Sequence, residues 1–178
     1  MDRLSRLWEL ASWERHQMSK KKKLKNISCR MLKQGDAEAV SELHADAFFS
    51  RDLEAIAKRV RNKSEKAMVA VNDNGTIVGY ILFDMESEKG ARCMYVANVG
   101  VGWEYRGCGV CSVMIPWLMA RLKRYKCEYA FLSVFRDNAS AQRCYKRAGF
   151  RAVDRSGMMR MEFHPGKQKS ASKKQKVA

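Results

Sequence analysis

A single domain of the α/β (α+β) class is predicted, with one mixed sheet of about six to seven strands flanked by about four helices. Three observations predict it. Strand-like and helix-like segments alternate from Ile27 to Phe163. The chain has 178 residues, enough for one ordinary domain and short for two. Hydrophobic residues make up 46% and charged residues 30%, a globular balance that excludes wholesale disorder and low-complexity organisation. No run approaches the roughly 18 apolar residues of a membrane-spanning helix, so no membrane partner is expected.

The elements follow in order. Ile27–Lys33 reads as a strand. Asp36 can cap a helix through about Phe49, with Ala37, Val40, Leu43 and Ala47 on one face. Ser50 can cap a second through about Asn62, carrying Leu53, Ile56, Ala57 and Val60. Ala67–Val71 and Thr76–Asp84 are strands joined by Asp73-Asn74-Gly75, a hairpin signal. Met94–Val101 is an apolar strand, and a helix runs from about Gly109 to Tyr125. Pro116 lies inside that helix, where a proline costs about 3 kcal/mol and predicts a kink. Tyr129–Val134 is a strand, and Asn138 caps a helix that ends at Gly149. Arg151–Asp154 and Met158–Phe163 form a closing strand pair around Ser156-Gly157.

Charge divides the chain. The net charge is +16. Residues 1–26 form a basic extension with eight basic and three acidic side chains, including the run Lys20 to Lys23. Leu4, Leu7, Trp8 and Ala11 in it have helical spacing. Residues 164–178 carry five lysines and no acid and read as a disordered tail. The domain proper is thus 27–163. A solvated extension is the plain reading of each terminus, and a weak nucleic-acid or ribosome contact is the other, since clustered lysine binds phosphate without sequence preference. Six cysteines, at 29, 93, 108, 111, 127 and 144, lie mostly within apolar patterns. They read as reduced, mostly buried thiols of a cytoplasmic protein.

The chemistry is concentrated in 96–150. A strand, Val96-Ala97-Asn98-Val99-Gly100-Val101, leads to Arg106-Gly107-Cys108-Gly109-Val110-Cys111-Ser112 and a helix. Glycines at the mouth of a helix let a ligand approach the backbone. The unpaired N–H groups there bind anions, phosphate above all, and Arg106 adds a donor fork. A Walker loop would need a lysine after the glycines. A dinucleotide fingerprint would need a glycine where Ser112 stands. Cys108-x-x-Cys111 could mark a redox pair or half a zinc site, but neither a thioredoxin-like context nor a second ligand pair accompanies it, so no metal is expected. The second piece is Asn138-x-x-Ala141-x-x-x-Tyr145-x-x-x-Gly149-Phe150.

The ordered pair of motifs resembles the GNAT superfamily of acetyl-CoA-dependent N-acetyltransferases. The wording there is Gln/Arg-x-x-Gly-x-Gly/Ala opening a helix, then Asn-x-x-Ala, then Tyr-x-x-x-Gly-Phe. Arg106 and Gly109 match the first motif, and Asn138, Ala141, Tyr145, Gly149 and Phe150 match the second. Cys111 departs from the pattern where the family has glycine or alanine.

The resemblance implies direct attack of an amine on the thioester of acetyl-CoA. Its pyrophosphate would sit on Arg106, Gly107, Cys108, Gly109, Val110, Cys111 and Ser112. Its pantetheine arm would pair with the strand from Val99 to Val101, with the Val99 N–H facing the oxyanion. Asn138 would hydrogen-bond the arm, Arg143 could reach a phosphate, and Tyr145 would protonate the departing thiolate as general acid. At the two positions where relatives carry a basic glutamate this chain has Tyr95 and Ser133, with Asp84, Glu86 and Glu104 nearby in sequence. The strand wording resembles the RimI-type N-terminal protein acetyltransferases, whereas Arg155-Ser156-Gly157-Met158-Met159 replaces their aromatic pair. The acceptor is then a protein N-terminus, a lysine or a small-molecule amine. The basic surface opposes a polyamine by like-charge repulsion. A degenerate acetyl-CoA-binding sensor or scaffold is the alternative.

Overall fold

The computed structural model describes residues 24, 26–48, 66–154 and 158–166. Seven strands form one mixed sheet: β1 (Ile27–Met31), β2 (Lys66–Asn72), β3 (Ile77–Glu88), β4 (Ala91–Val101), β5 (Tyr129–Val134), β6 (Arg151–Ala152) and β7 (Met159–Phe163), in the order β1-β2-β3-β4-β5-β7-β6. Among the described residues there are three α-helices, α1 (Ala37–Phe48), α2 (Val110–Met119) and α3 (Ala139–Arg147). The helix expected over Ser50–Asn62 lies outside the described residues. Leu24 packs against the main core, just inside the extension expected to end at residue 26.

Every neighbouring pair is antiparallel except β4–β5. That parallel pairing covers only Cys93, Met94 and Tyr95 against Tyr129, Ala130 and Phe131. Beyond it the two strands diverge. On the other side of β4, Leu82 faces Asn98 and Phe83 faces Val96, so Ala97 is an extra residue in β4. A bulge of this kind bends its strand and increases local twist, and it falls where β5 departs.

The larger core cluster joins Met68, Ile81, Phe83, Met94, Val96 and Leu132 of the sheet to Val110, Met114, Ile115 and Leu118 of α2 and to Cys144 and Tyr145 of α3. Alternation along the strands turns Val69, Tyr80 and Leu82 to the opposite face, where Val40 of α1 covers them. Gly79 is required by the first packing. A β-carbon there would lie 2.9 Å from Val110 Cγ1 and 3.0 Å from the Gly100 carbonyl oxygen.

Several sequence expectations change. The β3–β4 hairpin is longer than Thr76–Asp84 and Met94–Val101 suggest. Its polar tip reads as a loop, yet Met85 to Glu88 pair with Met94 to Ala91. Lys89 and Gly90 close it with φ of 52° and 81°, the two positive values that a tight two-residue hairpin turn requires. Asp36 caps the helix start not as the N-cap residue but as the capping-box partner of the N-cap Lys33. It sits in a 3-10 turn, Gln34–Asp36, and accepts from the Lys33 N–H at 2.7 Å and from Arg30 Nη2 at 2.9 Å. The guanidinium holds its carboxyl below the usual aspartate range. The helix expected to reach Tyr125 stops at Met119. Pro116 cannot donate to the Ser112 carbonyl, and residues 120–126 continue as turns. The closing pair shortens to β6 and β7, with its Ser156-Gly157 turn outside the described residues.

Gly100 yields a first prediction. A β-carbon there would collide with the ring of Tyr80, its cross-strand partner. The ring cannot retreat easily, because Tyr80 is fully buried and its hydroxyl lies 2.6 Å from His44 Nδ1. Gly100→Ala should therefore destabilise the fold by about 1–3 kcal/mol, the usual cost of overpacking. Urea unfolding followed by circular dichroism measures it.

Candidate active site

The site is built where β4 loses its parallel partner. The Gly102 N–H donates to the Val78 carbonyl at 3.1 Å, which turns the Gly102 backbone toward β3. Alternation in an antiparallel ladder then turns the backbones of Val101 and Val99 the other way, toward the space that β5 vacates. In agreement, the Val101 carbonyl accepts from Arg106 Nε at 3.3 Å. A strand-like ligand arm would thus meet the Val99 and Val101 backbone turned toward it, with Arg106 already on the Val101 carbonyl.

The loop after β4 turns through the 3-10 segment Trp103–Tyr105. Gly107 and Gly109 take φ values of 77° and 87°, a region in which a β-carbon is strained. Gly109 is the N-cap of α2 and supplies no side chain to the first-turn N–H groups. These donors face the cleft together with the positive end of the helix dipole, an arrangement that suits an anion. A β-carbon on Gly109 would meet nothing within 4 Å. The space before the helix is open, so the glycine answers to conformation and ligand room.

Asn138 caps α3, its Oδ1 accepting from the Ala141 N–H at 3.0 Å. At the other end Gly149 has φ of 98°. The Phe150 N–H reaches the Tyr145 carbonyl at 3.0 Å, and the Gly149 N–H reaches that of Lys146 at 3.1 Å. This is a Schellman closure. Its apolar contact is the ring of Phe150 against that of Tyr145, with centroids 6.0 Å apart. Gly149 and Phe150 therefore fix where the Tyr145 ring lies. Tyr145 is 7% exposed, and burial pushes its hydroxyl pKa up to about 12.

These pieces share one cleft of about 510 Å³. Of the residues singled out from the sequence, Val99, Val101, Arg106, Gly107, Gly109, Val110, Cys111, Ser112, Asn138 and Tyr145 line it. Cys108 does not. Its thiol points back to the Arg106 carbonyl, 3.9 Å away. Arg143, Arg147 and Ser140 also line the cleft. Their spacing of three and four residues puts them on one face of α3, a signal present in the sequence. Arg147 and Ser140 were not singled out from it. Arg106, Arg143 and Arg147 make a basic rim, and among the described residues no carboxylate lines the cleft. A pyrophosphate on the α2 N-terminus and an arm along Val99 to Val101 fit this donor set. Tyr95 and Ser133 lie on the sheet face away from α2, and Asp84 stands directly across from Tyr95.

The reading of all six cysteines as thiols is corrected. Cys111 and Cys144 are joined in a disulfide, with Cα atoms 6.5 Å apart and a separation of 33 positions in sequence. The cause is the packing of α3 beside the first turn of α2, which brings together two positions that separate motifs carry. Cys29, Cys93, Cys108 and Cys127 remain thiols. Burial raises the pKa of Cys29, Cys93 and Cys127, that of Cys29 to about 11.

Comparison with solved structures finds the same fold at low identity. The spermidine/spermine N-acetyltransferase SpeG from Vibrio cholerae, in glutamate-to-glutamine mutant forms, has a TM-score of 0.65 at 15% identity, over 78% of this chain and 93% of that one. The PaiA N-acetyltransferase from Thermoplasma acidophilum, in complex with coenzyme A, also has a TM-score of 0.65 at 15% identity, over 78% and 99%. The glucosamine N-acetyltransferase region of a fungal multi-domain GH3 β-N-acetylglucosaminidase has a TM-score of 0.62 at 20% identity; the match covers 73% of this chain and 17% of that much longer one. No curated protein matches in sequence. The family model described as acetyltransferase (GNAT) family matches residues 36–150, which hold both motifs and every residue of the cleft. With the sheet, its divergence after Tyr95 and the cleft in agreement, the chain belongs to the GNAT acetyltransferase family.

Proposed function

We propose that the protein transfers the acetyl group of acetyl-CoA, its cosubstrate, to a primary amine by direct attack, in the cytoplasm. The observation that carries this reading is the convergence of three features in one cleft: the bare N-terminus of α2, the edge of β4 at Val99 and Val101, and Tyr145. In this reading the first-turn N–H groups from Gly109 to Ser112 hold the pyrophosphate, with Arg106 and Arg143 at the rim. The Val99 N–H faces the developing oxyanion. Asn138 caps α3 and turns toward the arm, and Tyr145 gives its proton to the departing thiolate. The acceptor is a protein N-terminus, a lysine or a small-molecule amine.

One observation favours a second reading, an acetyl-CoA-binding sensor or scaffold without turnover. Among the described residues no carboxylate lines the cleft, and Tyr95 and Ser133 occupy the positions where relatives carry a base. One experiment separates the two. Release of coenzyme A from acetyl-CoA is followed across an amine library that includes polyamines, lysine peptides and peptides with free N-termini. Turnover with any acceptor class supports the enzyme and names its substrate. Tight acetyl-CoA binding with no turnover across the library selects the sensor.

The basic termini belong to a separate proposal, a weak contact with nucleic acid or the ribosome. Removal of residues 1–23 and 167–178 keeps Leu24 and the whole cleft. Turnover on a small acceptor should stay nearly unchanged. Retention on an RNA column should fall and lose much of its salt dependence, because clustered lysines leave with those segments. Unchanged retention would move the contact onto the domain.

A further inference from the structure

We propose that the Cys111–Cys144 bridge is a thiol-exchange site in the wall of the cleft, and that its opening by a low-molecular-weight thiol weakens the grip on acetyl-CoA. The first half rests on the position of the bridge alone. The second half rests on the function proposed above.

The bridge ties together the two halves of the site. Cys111 is in the first turn of α2, between Val110 and Ser112, which line the cleft. Cys144 is in α3, adjacent to Tyr145 and on the helix that Asn138 caps. Both cysteines line the cleft themselves. The cross-link therefore holds the anion-binding turn against the helix that carries the proposed acid. Two unbonded thiols cannot sit as close as two bonded sulfurs, so reduction lets the two side chains turn apart and removes the tether between α2 and α3 at this point. Without the tether the first-turn N–H groups are no longer held in place relative to Asn138 and Tyr145, and a less preorganised site loses affinity because its parts must be ordered on binding.

The two sulfurs differ in access. Cys111 is half-buried on the cleft side, whereas Cys144 is buried. An incoming thiolate reaches Cys111 Sγ first. A new S–S bond forms to Cys111 Sγ, the bond to Cys144 breaks, and the electron pair leaves on Cys144 Sγ, which takes a proton. A second thiolate attacks the outer sulfur of this adduct. The small disulfide departs, and Cys111 Sγ takes the second proton. Overall two small thiols are oxidised to one disulfide and the bridge is reduced to two thiols. Acetyl transfer from acetyl-CoA itself releases a thiol of this class.

Ligand and bridge are then thermodynamically linked. Whatever factor reduction removes from acetyl-CoA affinity, bound acetyl-CoA must add to the resistance of the bridge to reduction. We expect a factor of about ten, within the range of roughly 5 to 150 usual for coupled sites.

The test uses the full chain purified without reductant. Non-reducing peptide mapping should recover Cys111 joined to Cys144. Separate thiols at these positions, or a Cys108–Cys111 bridge, overturn the proposal. Calorimetry with acetyl-CoA, which has no free thiol, should show the dissociation constant rising about tenfold after reduction with dithiothreitol. Saturating acetyl-CoA should raise the dithiothreitol concentration for half-reduction by the same factor. Cys144→Ala should bind like the reduced protein whether or not reductant is present, and the unmutated chain carries the test if that variant fails to fold. A bridged protein whose affinity is indifferent to reduction overturns the coupling. Absence of acetyl-CoA binding in both states overturns the cofactor reading, while mapping still decides whether the bridge exists.

Discussion

Gly109→Glu should abolish measurable acetyl-CoA binding while leaving the protein folded. The backbone at Gly109 has φ of 87°, so any side chain there costs about 1–2 kcal/mol in strain. No neighbour lies within 4 Å of a β-carbon, so the side chain starts out in open space. A carboxylate at a helix N-terminus recovers about 0.3–1 kcal/mol from the dipole, which keeps the net stability change small. Binding is affected far more. The new carboxylate occupies the anion site and repels the pyrophosphate. Like charges about 4 Å apart at an effective dielectric of 20 cost about 4 kcal/mol, or roughly three orders of magnitude in affinity. Gly109→Ala separates the contributions, since it carries the strain without the charge and should bind far better. Calorimetry on both variants checks this, with thermal melts as the folding control. Unchanged affinity in the Glu variant would remove the phosphate from this loop.

The site was legible in the sequence to the extent that it depends on local backbone geometry. Gly109 and Gly149 both take positive φ, and Asn138 both caps its helix and lines the cleft. Each of these roles is set within a few residues, so spacing reveals it. That the strand from Val99 to Val101 would be open to pairing with a ligand arm was implied by family resemblance alone. No residue type marks it, and the extra residue Ala97 that accompanies it is an ordinary alanine within an apolar run. Arg147 and Ser140 were readable from helical spacing once α3 was placed.

What depends on tertiary contact was hidden. Cys111 and Cys144 belong to different motifs, and nothing in either motif announces the other. The hairpin tip at Lys89-Gly90 looked like a loop because its strands are polar. Tyr129 and Arg160 hold those polar residues from across the sheet: the Tyr129 hydroxyl donates to Glu88, and Arg160 Nη1 reaches Glu88 at 3.0 Å. Cys108 went the other way. It falls inside the loop motif, yet in that tight turn its side chain points out of the cleft.

Tyr145→Phe should lower the acetyl transfer rate by about 10²–10⁴-fold, the usual range for general acid catalysis, and toward the lower end because a coenzyme thiolate leaves well without help. The substitution removes one oxygen and keeps the ring on Phe150, the contact that the closure of α3 by Gly149 and Phe150 sets up. Binding of acetyl-CoA should barely change. The pH profile carries a further signature. Burial pushes the hydroxyl pKa up to about 12, against about 10 for an exposed phenol. Tyr145 therefore keeps its proton well above neutrality, and the rate should not fall near pH 10 through loss of this acid. Stability behaves differently. Below about pH 10 the hydroxyl is protonated in both folded and unfolded chains. Between about pH 10 and 12 the unfolded chain ionises first, so the stabilisation it gives is lost as pH rises through that window. Tyr145→Phe has no proton to lose and should lack this part of the alkaline decline. A purely structural tyrosine predicts another pattern, with full activity in the Phe variant and loss confined to Tyr145→Ala, alongside a lower melting temperature. Measuring rate, acetyl-CoA affinity and melting temperature for both variants across pH separates the two. A Phe variant with the activity of the unmutated chain would take the proton-donor role from Tyr145 and leave the ring as a wall of the cleft.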